Sequence, residues 1–209
     1  MTTVVMYDSV VSRPSPVPKK ERAREEIAIA ALRVIARRGV AAASLRQVAH
    51  ELGRTTGVLT HHFRDRADLL EHAVAVAASA ILERAMPVLG EDPSAALRRL
   101  ACALVIDGEQ DAEHARAAVH LLSHALPDPV ARARQRESRD QLRSEIRWAF
   151  EALLVAGRLG RGVDPEREAQ RLACLMEGLQ LQALLDPLAY PANTQRTLLL
   201  EHLARVGLS

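Results

Sequence analysis

Residues 44–63 read SLRQVAHELGRTTGVLTHHF. Leu45, Val48, Ala49 and Leu52 recur at i, i+3, i+4 and i+7, one stripe of a helix, and Ser44 stands three residues ahead of Gln47 as in a capping box. Gly53 breaks the stripe, and Thr55 or Thr56 is placed to cap a second short helix whose inner face carries Leu59 and Phe63. Two short helices joined by a glycine turn are the parts of a helix-turn-helix, in which the first braces the second in the major groove of DNA. The missing side chain at Gly57 allows close approach to a duplex backbone.

Outward from this stretch the helical signals continue. Upstream, Ile27, Ala31, Val34 and Ile35 share one face, Arg37 and Arg38 fall in the last turn, and Gly39 stops the helix. Downstream, Asp65 caps a longer helix through Leu70, Ala73, Val74, Ala77 and Ile81. Asp92-Pro93, Asp128-Pro129 and Asp164-Pro165 each set an N-cap acid before a proline suited to the first helical position. The stripes behind them are Leu97, Leu100, Leu104, then Leu142, Ile146, Phe150, Leu153, then Ala169, Leu172, Met176, Leu179, Ala183. A further helix fits between Gly108 and Pro127, and a last one runs from about Thr194 through Leu199, Leu203 and Val206. The expectation is an all-α chain of about nine helices: a flexible arm over 1–18, a helix-turn-helix domain over 19–66 and a second helical domain over 67–209. The 36-residue spacing of the Asp-Pro pairs does not mark a solenoid, because the segment after Pro129 is mostly polar and every repeat must bury a comparable face.

Composition agrees. Of 209 residues 48% are hydrophobic, yet Tyr7, Phe63, Trp148, Phe150 and Tyr190 are the only aromatics, so the core is built from Ala, Leu, Val and Ile, which favours helices. Charged residues interrupt every apolar run short of the roughly 18 to 20 residues of a membrane span, so a transmembrane protein is not expected, and no membrane partner is assigned. The N-terminus carries Asp8 and no basic residue before its short apolar stretches, unlike a secretory signal, and Cys102 and Cys174 lie in apolar helical patterns, so a cytoplasmic, disulfide-free protein is expected. The net charge of +2 is uneven: residues 1–72 hold 12 Lys or Arg against 8 acids, the remainder 16 against 18. The basic front points to a nucleic-acid or membrane-surface partner for the N-terminal part.

Residues 22–74 resemble the N-terminal DNA-binding domain of the TetR family of transcriptional regulators, through Gly39, Ser44-Leu45-Arg46-Gln47-Val48-Ala49, Gly53, Gly57-Val58-Leu59, His62-Phe63, and Arg66 with Leu69-Leu70. The resemblance implies a homodimer on a palindromic double-stranded operator, with a helical C-terminal domain for dimerisation and a small-molecule effector. Thr60 stands where the family usually has a phosphate-bonding Tyr, and Arg66 where it usually has a Lys. Ser44, Thr55, Thr60, His61 and Arg66 are the candidates for phosphate contacts, and Arg46, Arg54, Thr56 and Val58 for base edges, the arginines toward guanine and Val58 toward a thymine methyl. Helix capping is the competing role for Ser44 and Thr55, and a solvated or phosphate-facing charge for the two arginines. Lys19, Lys20, Arg22 and Arg24 either extend the basic footprint or form a solvated face with the interleaved Glu21, Glu25 and Glu26.

In the second domain Cys102, His120, His124, Trp148 and Gln180 are polar residues within apolar patterns and candidates to orient a ligand, with a packed structural role as the alternative. The segment 164–187 resembles the family's eighth helix, and its stripe is too broad for one core face. Leu172, Leu175 and Leu179, with Leu199 and Leu203 of the last helix, are therefore candidates for the dimer interface. His120 and His124 stand at a metal-ligand spacing but no third ligand is placed, so neither a metal nor any other cofactor is assigned. The few aromatics argue against a cage for a quaternary ammonium ligand. A DNA-binding dimer whose second domain takes a protein partner or corepressor is the alternative reading, and a small helical metal-dependent enzyme a further one. An enzyme finds no support in a nucleophile elbow, a His-Glu-x-x-His or a phosphate-cradling glycine loop.

Overall fold

The computed structural model describes residues 18–85 and 91–208. The described residues form nine α-helices and no strand: α1 Lys19–Arg38, α2 Leu45–Glu51, α3 Thr56–His62, α4 Arg66–Ala85, α5 Pro93–Ala101, α6 Glu109–Ala125, α7 Pro129–Val155, α8 Pro165–Leu185 and α9 Ala192–Arg205. Single 3-10 turns, Val40–Ala42 and Cys102–Leu104, link α1 to α2 and extend α5. Residues 1–17 of the expected arm lie outside the described residues.

The local signals behave as their chemistry requires. Asp92 accepts hydrogen bonds from Ser94 N (2.9 Å) and Ala95 N (3.3 Å), Asp128 from Val130 N (2.8 Å) and Ala131 N (3.3 Å), and Asp164 from Glu166 N (3.0 Å), each with proline at the helix start. Asp65 likewise accepts from Asp68 N at 2.8 Å and opens α4. Gly39 ends α1 at φ +77°, a backbone conformation that costs glycine nothing. α1 begins ahead of Ile27, where the apolar period starts, because its charged first turns are fastened to α4 by the Arg24–Asp68 ion pair.

Two cores result. The first is built from α1, α2, α3 and the front of α4, around Ile27, Ile35, Leu59, Phe63 and Leu69, and takes in Ala117 and Leu121 of α6. The second gathers Leu97 and Leu100 of α5, Ile146, Phe150 and Leu153 of α7, Leu172 and Met176 of α8, and Leu199 and Leu203 of α9. α4 serves both, burying Leu69 and Ala73 in the first and packing Ile81 on the second, so the domain division at 66/67 is spanned by a continuous helix. Among the described residues no helix is long and apolar enough to cross a membrane.

This packing corrects the expected dimer interface. Leu172 and Leu203 are fully buried, Leu199 is 2% and Leu179 6% exposed, all within the chain's own second core. They form the inner stripe of α8 and α9 and have no surface left for a partner. Leu175 alone of the five is part-exposed. The apolar residues that α8 and α9 turn outward are Leu181, Leu185, Leu198 and Leu200.

Candidate nucleic-acid interface

α2 and α3 meet through a tight reversal: Gly53 sits at φ +61°, its N–H bonds His50 O at 3.1 Å, and Arg54 N–H bonds Ala49 O at 2.9 Å. α3 is held from beneath by Leu59 and, just beyond its end, Phe63, exposed 0% and 1%. Thr55, Thr56, Gly57, Val58, Thr60 and His61 are all exposed. Burial of two side chains therefore orients the helix, and almost its whole remaining surface is presented outward.

The candidate contacts separate into free and engaged groups. Ser44 caps α2, accepting from Gln47 N at 3.2 Å, whereas Thr55 occupies the N-cap of α3 without a side-chain capping bond. Thr60 donates to Gly57 O at 3.1 Å, shortening its reach further. Arg46 is exposed, Val58 is 38% exposed, and the exposed His61 ring stands edge-on to His62. Arg54 is engaged: its Nη2 donates to both carboxylate oxygens of Glu26, at 2.9 and 3.1 Å. Arg66 is engaged as well, with Nε on Ala43 O at 3.1 Å and Nη2 on Val40 O at 2.6 Å. Its guanidinium thus pins the α1–α2 link to the start of α4.

Two residues that the sequence placed only in a basic footprint or a solvated face organise this surface through contacts it did not show. Arg24 packs its guanidinium 4.3 Å from the centre of the Phe63 ring, donates to His62 O and pairs with Asp68 at 3.3 Å. It is consequently a fastener between α1, the end of α3 and α4, and not part of an open basic face. Asp68, which also accepts from Arg64 N at 3.0 Å, has its carboxyl held below the ordinary range chiefly by that bond and by Arg24. Glu26, the partner of Arg54, is the second. No local signal announces either contact, since the partners lie 28 to 44 residues away in the chain.

The five ligand candidates of the second domain do not converge. Trp148 is 53% exposed on the outer side of α7. His120 is exposed beside the end of α1, where a Cβ on Gly39 would meet its Nδ1 at 3.7 Å, and His124 lines a shallow recess of about 100 Å³ with Leu70 and Asp128. Cys102 is half-buried, and burial pushes its thiol pKa up. Gln180 alone faces a cavity among α4, α6, α7 and α8, of about 90 Å³. Among the described residues no three His, Cys, Asp or Glu side chains are grouped to hold a metal. Larger spaces occur elsewhere: a groove of about 750 Å³ between α8 and α9, and a cleft of about 630 Å³ between α1, α4 and α6.

Residues 27–73 match the profile of the bacterial regulatory proteins of the tetR family, and residues 93–207 that of the BetI-type transcriptional repressor C-terminal region. The chain is 26% identical over 188 residues to the HTH-type transcriptional regulator PksA of Bacillus subtilis, spanning 89% of this chain and 90% of that one. A TetR-family transcriptional regulator from a Rhodococcus species superposes with a TM-score of 0.79 at 25% identity, covering 90% of this chain and 100% of that one. A transcriptional regulator from Saccharomonospora viridis, solved in complex with choline, shares the fold with a TM-score of 0.77 at 22% identity, covering 88% and 96%.

Proposed function

The chain belongs to the TetR family of transcriptional regulators, with a BetI-type repressor C-terminal region, and from that premise we propose that it represses as a homodimer whose paired α3 helices read a palindromic operator. The observation that carries this reading is the outward face of α3, anchored by Leu59 and Phe63 and otherwise exposed. In the major groove Val58 meets a thymine methyl and Thr56 a base edge, while Arg46, and Arg54 once released from Glu26, reach guanine. Ser44, Thr55, Thr60 and His61 contact phosphates and set the register, aided by the N-terminus of α4 and the remaining N–H groups of Arg66. The dimer forms through the outward residues Leu181, Leu185 and Leu198 of α8 and α9, beside a groove rimmed by Arg167, Arg171 and Arg205 with Glu201 available to the opposite copy.

Release follows when an effector favours a spacing of the two α3 helices that the operator does not accept. None of the cavities described above is lined by Phe, Tyr or Trp, so the choline of the Saccharomonospora neighbour would find no aromatic cage here. The space at Gln180 is well below the roughly 300 Å³ of a ready ligand pocket, which favours a second reading in which a protein partner binds the C-terminal unit. Selection of bound fragments from the source genome by the full-length protein tests the proposal. Enrichment of one near-palindrome supports the operator reading; recovery of fragments without a common sequence overturns it.

A further inference from the structure

The cleft between α1, α4 and α6 differs from the other spaces described above in what lines it. Its floor is aliphatic, from Ile29 and Leu32 of α1 and Val76 and Ala80 of α4. Its edges carry four carboxylates, Glu21 and Glu25 at one end and Glu83 and Glu113 at the other, against the single cation Arg33. Glu113 shares its charge with Arg37 at 3.1 Å, while neither Glu25 nor Glu83 pairs with a described cation. Two imidazoles line the same space, and His72 Nε2 and His114 Nδ1 are both buried without a hydrogen-bond partner. Burial lowers the pKa of His72, whose Nε2 stands 4.0 Å from Glu21 Oε1 at the same end of the cleft. From His72 to Glu83 the cleft follows α4 for about 16 Å at the helical rise per residue.

We propose that this cleft is a binding site for a linear polyamine, whose terminal ammonium groups meet the carboxylates at the two ends and whose methylene chain lies on the aliphatic floor. The chemistry selects for N–H donors as well as charge. The carboxylates accept hydrogen bonds that a primary ammonium donates and a quaternary ammonium cannot. A compact divalent cation would reach one end only and leave the aliphatic floor unused. The site is distinct from the α3 surface and adjoins the space at Gln180, with which it shares Ala77, and its occupant touches α1 and α6 at once, joining the DNA-binding helices to the C-terminal unit.

The test needs no operator, so its outcome is independent of the proposed repressor function. Spermidine is titrated into the full-length protein by calorimetry at fixed ionic strength, with choline and magnesium as comparison probes. Saturable binding of one spermidine per chain is expected, at least tenfold weaker in E25Q/E83Q, tighter in R33Q, and unchanged in E137Q, an exposed carboxylate on α7 outside the cleft. Three results overturn the proposal: no saturable spermidine binding, equal weakening by E137Q and by E25Q/E83Q, or displacement of spermidine by stoichiometric magnesium or choline.

Discussion

Glu26 and Arg54 form an ion pair on the surface proposed to face DNA, with side chains 50% and 37% exposed. At that exposure the pair adds little to stability, but in the proposed complex it would place a carboxylate where phosphates approach and occupy a guanidinium proposed to meet guanine. Glu26→Gln is therefore expected to tighten operator binding up to about tenfold, ~1.4 kcal/mol, in a titration at fixed salt; weaker binding would refute this arrangement. Arg66 presents the opposite case. Its two bonds to Ala43 O and Val40 O are part-buried and made by a charged donor, so Arg66→Ala is expected to cost about 1.5–3 kcal/mol in urea unfolding, in addition to weakening DNA binding. Unchanged stability would show that the residue serves phosphate alone. Ser44, Thr55 and Val58 could be placed on α2 and α3 from the sequence because capping and helical period are local. The engagement of Arg54, Arg66 and Arg24 could not, since each depends on chain segments that only the tertiary fold brings together.

At the scale of elements, the Asp-Pro starts of α5, α7 and α8 were legible because an N-cap acid and a following proline interact within a single turn. The outward face of α8 was not. Apolar residues occur on more than one side of it, and only its packing against α7 and α9 shows that Leu172 and Leu179 point inward while Leu181 and Leu185 point out. The end of the chain is fixed by a backbone contact that composition does not announce: Gly160 N–H bonds Val206 O at 3.0 Å, and Gly207 stands at φ +101° where a Cβ would come within 2.9 Å of Gly160 N. Gly207→Ala is expected to destabilise by about 1–3 kcal/mol, read as a lowered urea midpoint, and a neutral result would mean that this contact is dispensable. His72 on α4 and His202 on α9 both have pKa values below 6.5, chiefly through burial, opposed at His72 by Glu21 and Asp68 and at His202 by Glu168. The unfolded chain consequently takes up their protons first as the pH falls. Their contribution is fully present above pH 6.5 and is lost as the pH drops through that value toward the lower folded pKa values. Urea midpoints are expected to fall between pH 7.5 and 5.5, with a shallower fall in His72→Asn; a midpoint that rises on acidification would contradict the sign.

For the whole molecule, the all-α class and the helix-turn-helix were readable from residues 44–63 and their surroundings, and the family comparisons agree with that reading. How the two cores join was not readable, because α4 reaches both, and α6, which touches α7 and α8, buries Ala117 and Leu121 in the first core through residues that look like any others in sequence. That junction matters to the proposed mechanism: motion of α6 reaches α1, and with it α3, through a packed apolar seam. If the dimer uses the outer face of α8 and α9, Leu181→Glu with Leu185→Glu will give monomers in sedimentation and lose most operator affinity while leaving the monomer's helical content intact. The most direct test of the account is a footprint of the full-length protein on its best selected genomic site at fixed salt. Two protected half-sites related by a dyad are predicted, centred about 34–36 Å or a multiple apart, with protection at specific bases relaxed by Arg46→Ala. Uniform, salt-sensitive protection without a dyad would contradict it.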